Sequence, residues 1–172
     1  MKLPTQRGYT LIEAIIYVAI LAMLCVTFIS LLFAMTRSYT SFRLAREITD
    51  SALIALERMT YEIRRASSID LAQSTLDTHP GHLTLNTTDE NDAPTTIEFY
   101  LTADNILLIE EGGAGQTAST SAARITVENL VFKQINTTEG EAVKVELTLS
   151  NNQGQVSRTE KFYTTAVLRE SY

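Results

Sequence analysis

The sequence predicts an α+β protein: a long N-terminal helix, apolar in its first half, whose second half packs on an antiparallel β-sheet head. Three observations predict it. Ala14 to Met35 are uncharged without a break, no proline or glycine occurs from Tyr9 to Ala66, and beyond Ser67 the hydrophobic period changes to two. Six of the seven glycines and two of the three prolines fall in that last part, where turns are needed.

Residues 1–8 are short and polar, with Lys2 and Arg7 as their charged side chains. The uncharged run behind them has 22 residues, which as a helix rises about 33 Å against roughly 30 Å of bilayer hydrocarbon. A secretory signal has a shorter apolar region and a small-residue cleavage site, whereas this run exits through Phe33-Ala34-Met35-Thr36-Arg37. The segment 9–36 is therefore expected to stay attached and to span a membrane, in contact with lipid. Lys2 and Arg7 favour a cytoplasmic N-terminus, although Arg37, Arg43 and Arg46 on the far side weaken a simple charge count. Glu13 is the outlier: a carboxylate near the middle of a bilayer costs roughly 2.5–3.5 kcal/mol. Two readings fit it, a position one turn inside the membrane where it complements the helix dipole, and a dedicated ion-pair partner.

Residues 37–66 continue the helix as an amphipathic segment. Ala45, Ile48, Ala52, Leu56, Met59, Ile63 and Ala66 recur at spacings of three and four. Arg43, Arg46, Glu47, Glu57, Arg58, Glu62, Arg64 and Arg65 are expected mostly on the remaining, solvated faces. The whole helix, 9–66, would run about 87 Å at the standard rise. The head, 67–172, is expected to hold strands over 82–86, 96–101, 106–110, 124–134, 142–149 and 156–168 as an antiparallel meander. Turn residues separate them, among them Ala103-Asp104-Asn105, Glu139-Gly140 and Asn151-Asn152-Gln153-Gly154. In Val143 to Leu149 the alternation sets four aliphatics on one face, which should meet the helix stripe. Cys25, the lone cysteine, lies inside the apolar run, so the head must stand on its core without a disulfide.

The string Arg7-Gly8-Tyr9-Thr10-Leu11-Ile12-Glu13, opening an apolar run, resembles the class III signal sequence of type IV prepilins and type II secretion pseudopilins. The resemblance implies that a prepilin peptidase cuts after Gly8, removing residues 1–8 as a leader, and methylates the new amine on Tyr9. It implies that Glu13, fifth in the mature chain, pairs with that amine on a neighbouring subunit. Sister pilins or pseudopilins, the peptidase and an inner-membrane assembly platform are then its partners. Its place is the cytoplasmic membrane, single-pass with the head outside the cytoplasm, and afterwards a pilus or pseudopilus at the cell surface. Where many major pilins carry a glycine and a proline in this helix, Ala22 and Ser30 stand here, so an unbroken helix is expected. Leu53 to Ala66 resembles the corresponding helix of J-type minor pseudopilins and related minor pilins, which implies a minor subunit. The competing reading is a single-pass, signal-anchored extracytoplasmic binding protein that does not polymerise.

Other chemistry is not expected. A net charge of −6 argues against contact with nucleic acid, which needs a concentrated basic face. His79 and His82, beside Pro80-Gly81, lack a third metal ligand. Asp89-Glu90-Asn91-Asp92 reads as a solvated turn rather than a calcium loop. Asn86-Thr87-Thr88 and Asn136-Thr137-Thr138 fit the glycosylation sequon but lie beside predicted turns, where chance explains them. The Gly112 to Gly115 cluster lacks the Lys-Ser or Lys-Thr of a phosphate loop, no nucleophile has a base beside it, and no cofactor is implied.

Overall fold

The computed structural model describes residues 10–89, 91–112, 116–119, 124–137, 140–154 and 156–169. The chain forms two compact units, residues 1–40 and 41–172. Among its described residues the first is helical from Leu11 onward. Helix α1, Leu11–Arg65, begins in it and is unbroken to its end, as the absence of glycine and proline predicts. Its uncharged stretch has a mean hydropathy of 2.8 over the most apolar 18 residues, and none of that window is buried by the protein itself. From Leu11 to Met35 the large apolar side chains are more than half exposed, a surface that water does not tolerate and lipid does.

The second unit is built on the last turns of α1. Leu44, Ile48, Ala52, Ala55, Met59 and Ile63 are buried at spacings of four and three, followed by Ala66 just past the helix end. Leu44 and Ala55 occupy the stripe where the sequence reading placed Ala45 and Leu56; Leu56 packs at its margin. Ile48, Ala52, Met59, Ile63 and Ala66 are buried as that reading expects.

Eight antiparallel strands follow: β1 (Ser68–Ile69), β2 (Leu83–Thr88), β3 (Pro94–Leu101), β4 (Leu107–Glu111), β5 (Gln116–Ser119), β6 (Ile125–Thr137), β7 (Gly140–Gln153) and β8 (Val156–Val167). They divide into a five-stranded sheet in the order β1-β2-β3-β4-β5 and a three-stranded sheet β6-β7-β8. The meander is therefore split in two, and β1 and β5 add to the six strands expected. The junction is made by hydrogen bonds to β6: Asp77 N donates to Phe132 O at 2.8 Å, Gly81 N to Leu130 O at 2.9 Å and Val127 N to Asn105 O at 3.0 Å. A Cβ at Gly81 would lie 2.9 Å from Leu130 O and 3.0 Å from the Phe132 ring, so glycine is required there by close approach. Both sequon asparagines lie near the ends of strands, Asn86 in β2 and Asn136 in β6.

Val143, Val145, Leu147 and Leu149 of β7 are all buried and share one cluster with the α1 stripe, Leu83, Leu85, Ile97, Phe99 and Phe132. This continuous core stabilises the head in place of a disulfide; each fully buried Leu- or Phe-sized side chain contributes about 1.5–3 kcal/mol. A bulge between Val127 and Asn129 sets Glu128 outside the ladder, where it accepts from Ser150 Oγ at 2.6 Å. Asn151 Nδ2 donates to Glu47 Oε2 at 3.1 Å and ties β7 to α1.

Glu62 departs from its expected place on a solvated face: it is 1% exposed. Arg58 Nη2 lies 2.8 Å from Oε1 and Arg65 Nη1 3.8 Å from Oε2, yet neither oxygen has a donor in hydrogen-bonding geometry. Flanking arginines at i−4 and i+3 explain how a carboxylate can sit beside Met59 and Ile63. Burial pushes its acidity the other way and wins: the Glu62 carboxyl titrates above the usual glutamate range, because both arginines are half exposed and solvent screens them. Its folded pKa being raised, its contribution to stability is full below about pH 4.5 and is lost as pH rises through the folded value. Glu62→Gln is thus expected to gain stability over the wild type at pH 8 and to lose that advantage at pH 4. Urea midpoints of the two proteins at both pH values measure it, the difference cancelling other carboxylates such as Glu146, which Lys144 and Lys133 hold low.

Candidate assembly site on the membrane helix

The site is built from the first turn of α1. Thr10 precedes the helix and Glu13 stands at its third position, the Thr-x-x-Glu spacing of a capping box. Glu13 N donates to Thr10 Oγ1 at 3.3 Å, so the threonine hydroxyl caps one of the amides that a helix start leaves unpaired, while Thr10 O accepts the first intrahelical bond from Ala14 N at 3.2 Å. The Glu13 carboxylate is left to point elsewhere: its Oε1 accepts from Tyr17 Oη, one turn on, at 3.1 Å. The negative charge in the first turn complements the positive end of the helix dipole.

Further along, the hydroxyls of the apolar segment are satisfied within the helix. Thr27 Oγ1 donates to Leu24 O at 2.8 Å and Ser30 Oγ to Val26 O at 2.9 Å. Thr36 does the same to Leu32 O at 2.9 Å, just past the uncharged run. In hydrocarbon an unsatisfied hydroxyl costs several kcal/mol, and this back-bonding removes that cost. The charge of Glu13 therefore stands out: among the described residues no basic side chain lies within ion-pair distance of it, and a single hydroxyl does not neutralise it.

Of the three residues singled out in the sequence, only Glu13 is described; Gly8 and Tyr9 lie outside the described residues. Sequence reasoning missed the Thr10 cap and the Tyr17 partner. Both were open to discovery, the first as a capping box and the second as a pair four residues apart on one helix face.

The head places its polar candidates apart. His79 Nδ1 accepts from Leu130 N at 3.1 Å, whereas His82 Nε2 lies 3.0 Å from Glu98 Oε2, and no cluster of metal-ligating residues forms among the described residues. Asp89 Oδ1 accepts from Asn91 N at 2.7 Å and Ala93 N at 2.9 Å, closing the turn in which Glu90 lies outside the described residues. Those two amides hold the Asp89 carboxyl below its ordinary range.

Compared with protein families, residues 3–29 match the prokaryotic N-terminal methylation motif. The matched stretch contains Gly8, Tyr9 and Glu13 and ends within the apolar half of α1. No curated protein and no solved structure matches the chain.

Proposed function

We propose, for a chain that carries the class III signal peptide of type IV pilins, a role as a minor pilin or minor pseudopilin of a type IV filament or a type II secretion pseudopilus. The observation that carries the reading is the methylation motif joined to a helix whose first turn holds a carboxylate, without a basic partner among the described residues, in an otherwise lipid-compatible surface. Hydrolysis of the Gly8–Tyr9 bond by a prepilin peptidase frees the leader with its carboxylate at Gly8 and leaves an amine on Tyr9; after losing its proton that amine takes a methyl group from a sulfonium methyl donor, which departs as a thioether, and the methylated amine is again a cation at neutral pH. That amine on a neighbouring subunit supplies the counter-charge that Glu13 lacks among the described residues of its own chain. The unbroken passage of α1 through Ala22 and Ser30 supports the minor class, since nothing in the helix provides a point of melting. The subunit waits in the cytoplasmic membrane with its head outside the cytoplasm, and an inner-membrane platform adds it to the filament.

Mechanical shearing of cells in which the chain carries a tag on the head tests this role. The mature chain is expected in the sheared filament fraction together with sister pilins. Its confinement to the membrane fraction, with none in the filaments, would favour a signal-anchored binding protein instead.

A further inference from the structure

The outer face of the five-stranded sheet carries a polar quartet that assembly through the helix does not use. Glu98 of β3 and Glu110 of β4 are direct cross-strand partners, which sets two carboxylates side by side on one face. Directly opposed like charges destabilise a strand pair. The fold keeps them nonetheless, and gives each a polar partner: His82 Nε2 at 3.0 Å from Glu98 Oε2, and Tyr100 Oη donating to Glu110 Oε2 at 3.0 Å. The His82 and Tyr100 rings meet edge to face at 5.7 Å, forming a wall beside the carboxylates. Together with Pro80, Gly81 and Leu101 these four side chains line a concavity of about 350 Å³.

Three features describe this quartet. Among the described residues neither Glu98 nor Glu110 has an arginine or lysine partner, and the imidazole beside Glu98 carries a charge only when protonated. The second oxygen of each, Oε1, accepts nothing from the described residues, so two acceptors on adjacent strands remain available. The Tyr100 hydroxyl is pushed above its ordinary range, first by its bond to Glu110, then by burial and by the charges of Glu110 and Glu98, so it stays a donor at neutral pH.

We propose that this concavity binds a guanidinium group, as presented by an arginine side chain of another polypeptide. A guanidinium is planar, carries donors in a fixed fork and stacks on aromatic rings. It can give one N–H to Glu98 Oε1 and another to Glu110 Oε1 while lying against the Tyr100 and His82 wall. A single positive charge there relieves the repulsion between the opposed carboxylates.

The sequence has two histidines, so their ring signals in a nuclear magnetic resonance spectrum of the full chain in neutral detergent report the site and a control. N-acetyl-arginine amide is expected to move the His82 signal to saturation and to leave His79, bonded to Leu130, in place. The citrulline analogue, equal in shape and uncharged, is expected to leave both signals unmoved. Glu98→Gln and Glu110→Gln should each weaken arginine binding about tenfold, with the His79 signal certifying the fold. Binding of guanidinium chloride at equal ionic strength as tightly as the arginine amide assigns recognition to the head group alone; tighter binding of the amide assigns it to an arginine side chain. A His82 signal that ignores arginine, or that responds equally to citrulline, overturns the proposal without recourse to any variant.

Discussion

Cells carrying Glu13→Ala are expected to hold the chain in the membrane in wild-type amount and to lose it from the sheared filament fraction. Insertion becomes easier, because the variant removes the roughly 2.5–3.5 kcal/mol that a carboxylate costs in the bilayer. Assembly fails for the opposite reason. An ammonium left without its counter-ion in a packed helix bundle costs about 3–5 kcal/mol, which is roughly two to three and a half orders of magnitude in an incorporation equilibrium. Immunoblots of membrane and sheared fractions measure both outcomes at once. Tyr17→Phe serves as the companion: it removes the hydroxyl that Glu13 accepts from but leaves the charge, so it is expected to assemble. Equal assembly of Glu13→Ala and the wild type would show that the carboxylate has no part in filament register.

Phe132→Ala is expected to be the most damaging single change in the head. The ring is fully buried in the cluster that joins β6 to the helix stripe, and it stands beside Gly81, whose missing side chain makes room for it. Truncating a buried phenylalanine costs about 3–5 kcal/mol, the lost transfer energy adding to the cavity left behind. With the chain's lone cysteine outside the head, no disulfide limits the unfolded state. A fall of roughly 10–20 °C in melting temperature follows for a domain of this size, read by circular dichroism of the full chain in detergent. A shift of only a few degrees would mean that the junction between the two sheets relaxes to fill the space.

Much of this architecture was open to reading from the sequence, because its strongest features are periodic. The uncharged run and the three–four spacing of apolar residues predict a single helix, and α1 ends at Arg65, one residue before the expected limit. The alternation in Val143 to Leu149 identifies the buried face of β7 correctly. The strands that escaped notice lack such a signal: β1 is two residues long, and β5 reads Gln116-Thr117-Ala118-Ser119, with no large apolar residue to mark a face. The junction of the two sheets depends on backbone hydrogen bonds that Asp77 and Gly81 donate to β6 and that Asn105 accepts from it, contacts between segments far apart in sequence that no local pattern encodes.

The same distinction governs the sites. Glu13 stands out in the sequence because one charge in a long apolar run is a local anomaly. Glu62 does not, since a glutamate with arginines four residues before and three after it looks like an exposed, paired residue on a solvated helix. Its burial follows only from how the helix face is turned toward the sheets. The quartet comes from β3 (Glu98 and Tyr100), β4 (Glu110) and the residue just before β2 (His82), brought together by strand register rather than by any local pattern.

The mature N-terminus tests the central claim most directly. Mass spectrometry of the chain purified from native membranes is predicted to find a first peptide that starts at Tyr9, carries one added methyl group and lacks residues 1–8. A peptide spanning an intact Gly8–Tyr9 bond, in a chain that keeps its leader, would contradict the account.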